Sequence, residues 1–398
     1  MRKADMIIGV PRETYPDERR VALVPGLLTQ LQTLGLEVIL ESGAGLQAGF
    51  PDAEYQDQGG RVAFQRAEVF ALADILLQVR GLGANPGPGP ADLAMLRSGQ
   101  ALLGFFNPLG APGAMVELAR RGVTVLALEL LPRISRAQPM DALTSMAVVA
   151  GYKAVLLAAD ALPRMFPMMV TAAGTITPAR VFVVGAGVAG LQAIATARRL
   201  GAVVEAYDVR LAAKQEVESL GAKFVELALE GADAGGAGEY AAAMNEDFYR
   251  RQREMMARVV AASDVVITTA AVPGKKAPLL VTGDMVQKMR PGSVIVDLAA
   301  ESEGNCELTR PGATVKADGV TILGPVNLPS TIPFHASQMY ARNLVAFLRV
   351  LVKDGQLEID LEDPIIRDTL VTHQGEVFSQ RVRDRLMPPG VDPAANQR

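Results

Sequence analysis

The residues best suited to chemistry in this chain are glycines. Gly185-Ala186-Gly187-Val188-Ala189-Gly190 directly follows the apolar run Arg180–Val184 (RVFVV) and opens the helical pattern Val188–Leu200. A chain with 38 glycines can produce Gly-x-Gly-x-x-Gly by chance, so its context decides its meaning. Gly185 permits a tight turn, Gly187 lets a phosphate approach the backbone, and Gly190 lets helix and strand pack closely. The free N–H groups at the helix start, those of Val188 and Ala189 among them, favour an anion. The next apolar run, Val203–Tyr207, leads into Asp208-Val209-Arg210, with Asp208 eighteen residues beyond Gly190. Strand, glycine turn, helix, strand and acid at this spacing form the dinucleotide fingerprint. A carboxylate at position 208 accepts hydrogen bonds from ribose hydroxyls and repels a 2′-phosphate, so NAD(H) is expected rather than NADP(H). Arg210 could take that phosphate only once the carboxylate was neutralised.

Other chemistry is excluded by what is scarce. The one cysteine, Cys306, has acidic neighbours in EGNCE that raise a thiol pKa, and one thiol supports neither a disulfide framework nor a thiolate metal site. Two histidines, His335 and His373, leave a histidine zinc site or a Ser-His-Asp triad without residues. No metal is expected. A net charge of −4 from 39 basic and 43 acidic residues suggests neither nucleic acid nor an anionic membrane as partner. Mean hydropathy is high, +0.21. Yet Met146–Leu162 is broken by Lys153 and Asp160, and Leu344–Val352 contains Arg349. Neither reaches the roughly 20 uninterrupted apolar residues of a span. The start, MRKADMIIGVPRE, is too weakly apolar for a signal peptide. A soluble, cytoplasmic chain is expected.

At 398 residues, two or three domains are expected. In the N-terminal region, Met6–Val10, Glu37–Glu41, Asp74–Val79, Ala101–Phe106 and Val123–Leu128 read as strands. Pro25–Leu34, Ala67–Ala73 and Met115–Arg121 read as helices, and Gly81–Pro90 as a loop. Alternation at this rhythm implies a doubly wound parallel sheet. Asp141–Met165 reads as a long helix with Met165, Met168 and Met169 in a core-packed tail. A second α/β unit contains the fingerprint, the helix Leu211–Leu220, and the strands Asp264–Thr268, Ser293–Asp297 and Val320–Leu323. Pro333–Lys353 reads as a second long helix. Two long helices bracketing one α/β unit predict a discontinuous first lobe, 1–140 plus 331–398, around a second lobe, 141–330. The glycine-dense stretch Gly231–Tyr240 reads equally as a lid or as a passive surface loop.

Taken in order, these segments match a family. From IGVPRE and RRVALVP to the tail EIDLEDPIIRDTLVTHQGEV, the whole chain resembles the NAD(H)-binding domain I of proton-translocating NAD(P) transhydrogenase, in the form where that domain is a separate alpha-type subunit. LPRISRAQPMDALTSMAVVAGYKAV, GAGVAGLQAIATARRLGAVVEAYDVR, TTAAVPGKKAP, GSVIVDLAAESEGNCELT and NLPSTIPFHASQMYARNLVAFL carry the likeness. It implies two Rossmann-like lobes separated by a cleft, in a homodimer. It implies that Arg133 and Asp141 hold the nicotinamide end of NADH while Gln138 orients it. Composition alone would equally make ISRAQPMD a polar loop. Thr144 stands where the family usually has a serine, and Tyr240 matches a tyrosine of a mobile loop. Ala270, Pro273 and Gly274, in TTAAVPGKKAP, complete the implied cofactor contacts.

The same fold family includes alanine dehydrogenase, which needs a proton-transferring histidine and a substrate lysine. Here those segments read GFFNPLG, with Asn107, and LLQVRGL. Arg19 and Arg20 resemble a substrate arginine of that enzyme, though salt-bridged surface residues fit them better. The resemblance therefore implies direct hydride transfer from NADH to NADP⁺ on a partner subunit, coupled to proton translocation by membrane-spanning partner chains. It places this subunit on the cytoplasmic face of the membrane. Such a transfer needs ring alignment and dry surroundings rather than a general acid or base. An amino-acid dehydrogenase and a non-catalytic NAD(H) sensor are the alternatives.

Overall fold

Short, nearly continuous apolar runs such as MIIGV, ILLQVR and RVFVV suit parallel strands covered on both faces. The computed structural model of the chain describes residues 6–226, 246–271 and 276–387. In chain order, the first strands are β1 (Met6–Val10), β2 (Leu36–Glu41), β3 (Arg61–Ala63), β4 (Ile75–Arg80), β5 (Ala101–Phe105) and β6 (Thr124–Ala127). A hairpin, β7 (Met169–Thr171) and β8 (Gly174–Ile176), precedes β9 (Arg180–Val184), β10 (Val203–Tyr207), β11 (Lys223–Phe224) and β12 (Val265–Thr268). Then come β13 (Val294–Asp297), β14 (Thr314–Ala317) and β15 (Val320–Leu323), followed by β16 (Val352–Lys353), β17 (Gln356–Leu357), β18 (Leu370–His373) and β19 (Glu376–Val377). The chain divides into two compact units, Met1–Met146 with Pro329–Arg398, and Ala147–Leu328.

In the first unit the sheet order is β19-β18-β6-β5-β4-β1-β2-β3. The six strands β1 to β6 are parallel, and β18 adds antiparallel to β6 with β19 antiparallel beyond it. In the second unit the order is β11-β10-β9-β12-β13-β15-β14, parallel except for β14 at the edge. Both are doubly wound, and their strand orders reverse between β1 and β4 and between β9 and β12. Those switch points are where the fold class binds ligands. In the second unit the period-two alternation is plain. Val181, Val183, Val265, Ile267, Val294 and Val296 enter one core with Ala154, Val155 and Ala158 of the helix Ala142–Ala161. Phe182, Val184, Val266 and Ile295 enter the other with Met255, Met256 and Val260 of the helix Glu246–Ala261.

Three expectations change. The long helix ends at Ala161, because Pro163 cannot continue it. Beyond it Met165, Met168 and Met169 are exposed rather than packed in a core, since the chain turns through Pro163 and Pro167 into the fully exposed β7–β8 hairpin. Both sheets also carry antiparallel edge strands. The helix Ala142–Ala161 is long and apolar enough to cross a membrane by length and composition. The core helix of a globular unit passes the same test, and Ala154, Val155 and Ala158 are wholly buried here.

At the C-terminal ends of β4 and β5 in the first unit, two carboxyl groups bind backbone N–H groups. Glu13 accepts from the N–H groups of Val79 (2.6 Å) and Arg80 (3.1 Å). Glu129 accepts from those of Phe106 (2.7 Å) and Asn107 (2.6 Å). Burial, with Glu18 alongside, pushes the Glu13 carboxyl from 4.5 to about 8, and burial pushes Glu129 to about 7. Both folded values lie above the unfolded one, so their contribution to stability is complete below pH 4.5 and is lost as pH rises through about 7 and about 8. The melting temperature should therefore fall between pH 5 and 9. Glu13→Gln should flatten the upper part of that fall; an unchanged slope between pH 7 and 9 would refute the assignment.

Candidate functional site

The turn after β9 is built by close approach. Gly185 adopts φ +97°, a left-handed conformation that side chains disfavour. A Cβ on Gly190 would stand 1.8 Å from the Gly185 carbonyl oxygen, so only glycine lets the helix Val188–Arg199 seat against the strand end. A Cβ on Gly187 would meet nothing within 4 Å. Gly187 is the helix N-cap and makes no side-chain cap to the first N–H groups of that helix. Val188 is 39% exposed, Ala189 is half-buried and Gly190 is buried.

Asp208 follows β10 directly, and the parallel register sets Tyr207 opposite Val184. Its Oδ2 accepts from the Ala186 N–H (2.8 Å), tying the acid to the glycine turn. Oδ1 accepts from the Arg210 N–H (2.8 Å) and Nε (3.1 Å), and Arg210 Nη2 reaches Oδ2 at 3.2 Å. Burial opposes its charge, but the hydrogen bonds from Arg210 and Ala186 outweigh burial and hold the carboxyl below its usual range. Val209 is 60% exposed. Across the switch point, the Thr269 hydroxyl donates to the Gly185 carbonyl (3.0 Å), and Ala270 follows it, half-buried. Pro273, Gly274 and Tyr240 lie outside the described residues.

In the first unit, Ser135–Met140 forms a 3-10 turn. Ala137 and Met140 are its buried anchors, and Asn343 Nδ2 grips the Pro139 carbonyl at 2.8 Å. Arg136 pairs with Asp363. Arg133 and Gln138 are left exposed, and their side chains make no hydrogen bond to a described residue. Asp141 caps the helix Ala142–Ala161: Oδ1 accepts from the Thr144 N–H (2.8 Å) and Oδ2 from its hydroxyl (2.6 Å). The structure thus joins Asp141 to Thr144, leaves Gln138 exposed on the turn, and leaves Arg133 exposed two residues before it.

Arg20 is not a surface residue. It is 4% exposed and binds Glu18 through Nε (2.7 Å) and Nη2 (2.6 Å). Arg80 joins that pair at 3.2 Å and stacks its guanidinium 4.3 Å over Tyr15. Arg19 is exposed. Cys306 is buried, and burial raises its thiol pKa, which removes it from nucleophilic chemistry. Sequence reasoning missed Gly151, whose Cβ would stand 2.1 Å from the Ala189 carbonyl oxygen, where one helix presses on the other. It also gave no role to Asp297 or Asn305.

Two doubly wound α/β units, one with a dinucleotide-type turn, define the class of protein. Residues 9–150 match the family described as alanine dehydrogenase/PNT, N-terminal domain, and residues 154–380 its C-terminal domain. The chain is 46% identical over 378 residues to the first of the alpha-subunit chains of the NAD(P) transhydrogenase of Rhodospirillum rubrum, covering 94% of this chain and 97% of that one. The structure of a transhydrogenase from Sinorhizobium meliloti superposes with a TM-score of 0.84 at 44% identity, covering 93% of this chain and 99% of that one. An alanine dehydrogenase of Mycobacterium tuberculosis is 29% identical, with 98% and 99% covered. The chain belongs to the alanine dehydrogenase/PNT family, on the branch of the NAD(P) transhydrogenase alpha subunits.

The glycines give a direct contrast. Gly190→Ala should destabilise the fold by several kcal/mol, on the order of 2–4, because backbone must move to clear the carbonyl. Gly187→Ala, with open space around it, should melt within about 2 °C of the parent. Equal melting temperatures for the two variants would refute this reading of the turn.

Proposed function

We propose that this subunit binds NAD(H) at the Gly185–Gly190 turn and passes hydride directly to NADP⁺ held on a partner subunit. The observation that carries the reading is the joined geometry of the turn. A left-handed Gly185, an unobstructed Gly187 and a forced glycine at 190 lie beside an ionised Asp208 bonded to the turn's own backbone. Phosphates suit the N–H groups of Val188, Ala189 and Gly190. Asp208 suits two ribose hydroxyls and repels a 2′-phosphate, which favours NAD(H) over NADP(H). Pro273, Gly274 and Tyr240 are proposed as further contacts by likeness to the family.

When bound, the reduced nicotinamide supplies the hydride. The protein's role is orientation. Arg133 and Asp141 are proposed to hold the carboxamide, a group with one acceptor and two donors, so that a cation and a carboxylate together fix its rotation. Gln138 is proposed to orient the ring toward the second nucleotide. No proton moves at the reacting carbons, so the chain need supply no acid or base for the transfer. Asn107, bonded through its N–H to Glu129 and without a titratable side chain, speaks against amino-acid oxidation at that position. By the same likeness we propose a homodimer. It would be held at the cytoplasmic face of the membrane by the partner chains that bind NADP(H) and translocate protons.

The test is to give the purified chain NADH with alternative acceptors. Hydride exchange is expected only once an NADP(H)-binding partner subunit is present; oxidation by pyruvate and ammonium would overturn the reading. In the exchange assay Gln138→Asn should slow transfer about tenfold or more while NADH affinity changes less than about threefold. Equal losses in both would remove its orienting role. Asp208→Ala should weaken NADH binding by about tenfold and narrow the preference over NADPH. An unchanged preference would count against the ribose assignment.

A further inference from the structure

Asp297, at the end of β13, is wholly buried, and it forms no ion pair with a described residue. Five donors satisfy its carboxylate instead. Oδ1 accepts from the Thr268 hydroxyl (2.9 Å) and the Ala299 N–H (3.0 Å). Oδ2 accepts from the N–H groups of Asn305 (2.8 Å) and Cys306 (3.0 Å) and from the Thr309 hydroxyl (2.7 Å). A carboxylate so fully bonded fixes the loop from residue 299 to residue 309 in place.

The residue this network holds most firmly is Asn305. It is wholly buried, and its carbonyl accepts from the N–H groups of Leu280 (2.8 Å) and Val281 (2.9 Å). Its side chain then reaches out of the loop. Oδ1 accepts from the Ala270 N–H (3.0 Å), while Nδ2 donates to the carbonyls of Ala270 (2.8 Å) and Pro278 (2.8 Å). Two carbonyl partners on one side and one N–H on the other fix which way the amide points. A single side chain thus clamps the chain at Ala270 and again at Pro278. Ala270 borders the glycine turn. Thr269 donates its N–H to the Val184 carbonyl (2.9 Å) and its hydroxyl to that of Gly185 (3.0 Å), and a Cβ on Gly185 would stand 3.3 Å from the Ala270 nitrogen.

We propose that Asn305, anchored by Asp297, is a positioning residue for the nucleotide turn: it sets where Ala270 stands against Gly185 and so shapes the β9/β12 switch point that receives the dinucleotide. The inference rests on the nucleotide reading of that turn. Asn305 acts through Ala270, and neither Asn305 nor Asp297 need touch the ligand.

The experiment titrates NADH into the full chain and into Asn305→Asp at pH 8 and pH 6, with far-UV circular dichroism to confirm folding. At pH 8 the new carboxylate turns an oxygen toward the Ala270 and Pro278 carbonyls, with the Asp297 carboxylate close behind. Affinity should fall about tenfold or more. At pH 6 the buried carboxyl takes up a proton and again donates to one carbonyl. About threefold or more of the affinity should return, while the parent changes by less than about twofold. A folded variant with parental affinity at both pH values overturns the proposal, as does a loss that is equal at both. Should Asn305→Asp not fold, Asn305→Gln replaces it, keeping both polar groups but shifting them by one methylene. It should bind NADH about fivefold more weakly, and unchanged binding overturns the proposal. A parent chain that binds no NADH overturns the nucleotide reading together with this one; parental binding with indistinguishable variants overturns this one alone.

Discussion

The second unit is organised around one contact. The Gly185 carbonyl oxygen lies 1.8 Å from where any side chain on residue 190 would begin. The helix Val188–Arg199 can seat on the end of β9 only because residue 190 has no Cβ. Its position then fixes its neighbours. Gly151 must also lack a Cβ, because the Ala189 carbonyl comes within 2.1 Å of that place. Ala186 turns its N–H to Asp208, and the Thr269 hydroxyl closes on Gly185 from β12. Strand, turn, helix and acid are therefore one constraint expressed at four points. Loosening the first contact would move the rest.

How much of this is legible in the sequence depends on whether the cause is local. The turn, its helix and Asp208 are legible because periodicity, glycine spacing and an acid at a strand end all lie within about thirty residues. The parallel cores are legible because strands buried on both faces read as continuous apolar runs. The β7–β8 hairpin is not, because Met165, Met168, Met169 and Val170 have the composition of a buried segment, and hydrophobicity alone does not tell burial from an exposed hairpin. Arg20 misleads for the opposite reason. Its burial depends on Glu18 and Arg80, and Arg80 lies sixty residues away. Asp297 and Asn305 carry no pattern at all. Their importance lies in which backbone groups converge on them, which only the folded chain shows. The roles of Arg133, Gln138 and Asp141 rest on family resemblance, and ISRAQPMD alone reads as an ordinary polar loop.

That loop has a structural logic of its own. Ala137 and Met140 are buried, and Asn343 holds the carbonyl between them, so a six-residue polar turn gains fixed anchors. Gln138 stays exposed on this anchored turn. Asp141 caps the helix Ala142–Ala161 through Thr144, which stabilises such a helix start by about 1 kcal/mol. A turn tied at three points holds its exposed groups better than a free loop.

The two acids of the second unit show how similar bonding serves different ends. Asp297 spends its lone pairs on five donors that are all backbone or hydroxyl groups of its own fold, every one enclosed. Nothing can replace them without unfolding the loop. Asp208 makes four bonds, but two come from the Arg210 side chain, which is 58% exposed. The pair is only half exposed, with the Asp208 side chain 8% exposed. The bonds from the Ala186 and Arg210 N–H groups hold the carboxylate against the glycine turn independently of that side chain. Of the two acids, Asp208 is thus the one with a solvent-facing partner. Arg210 thus keeps Asp208 ionised and in place at the end of β10.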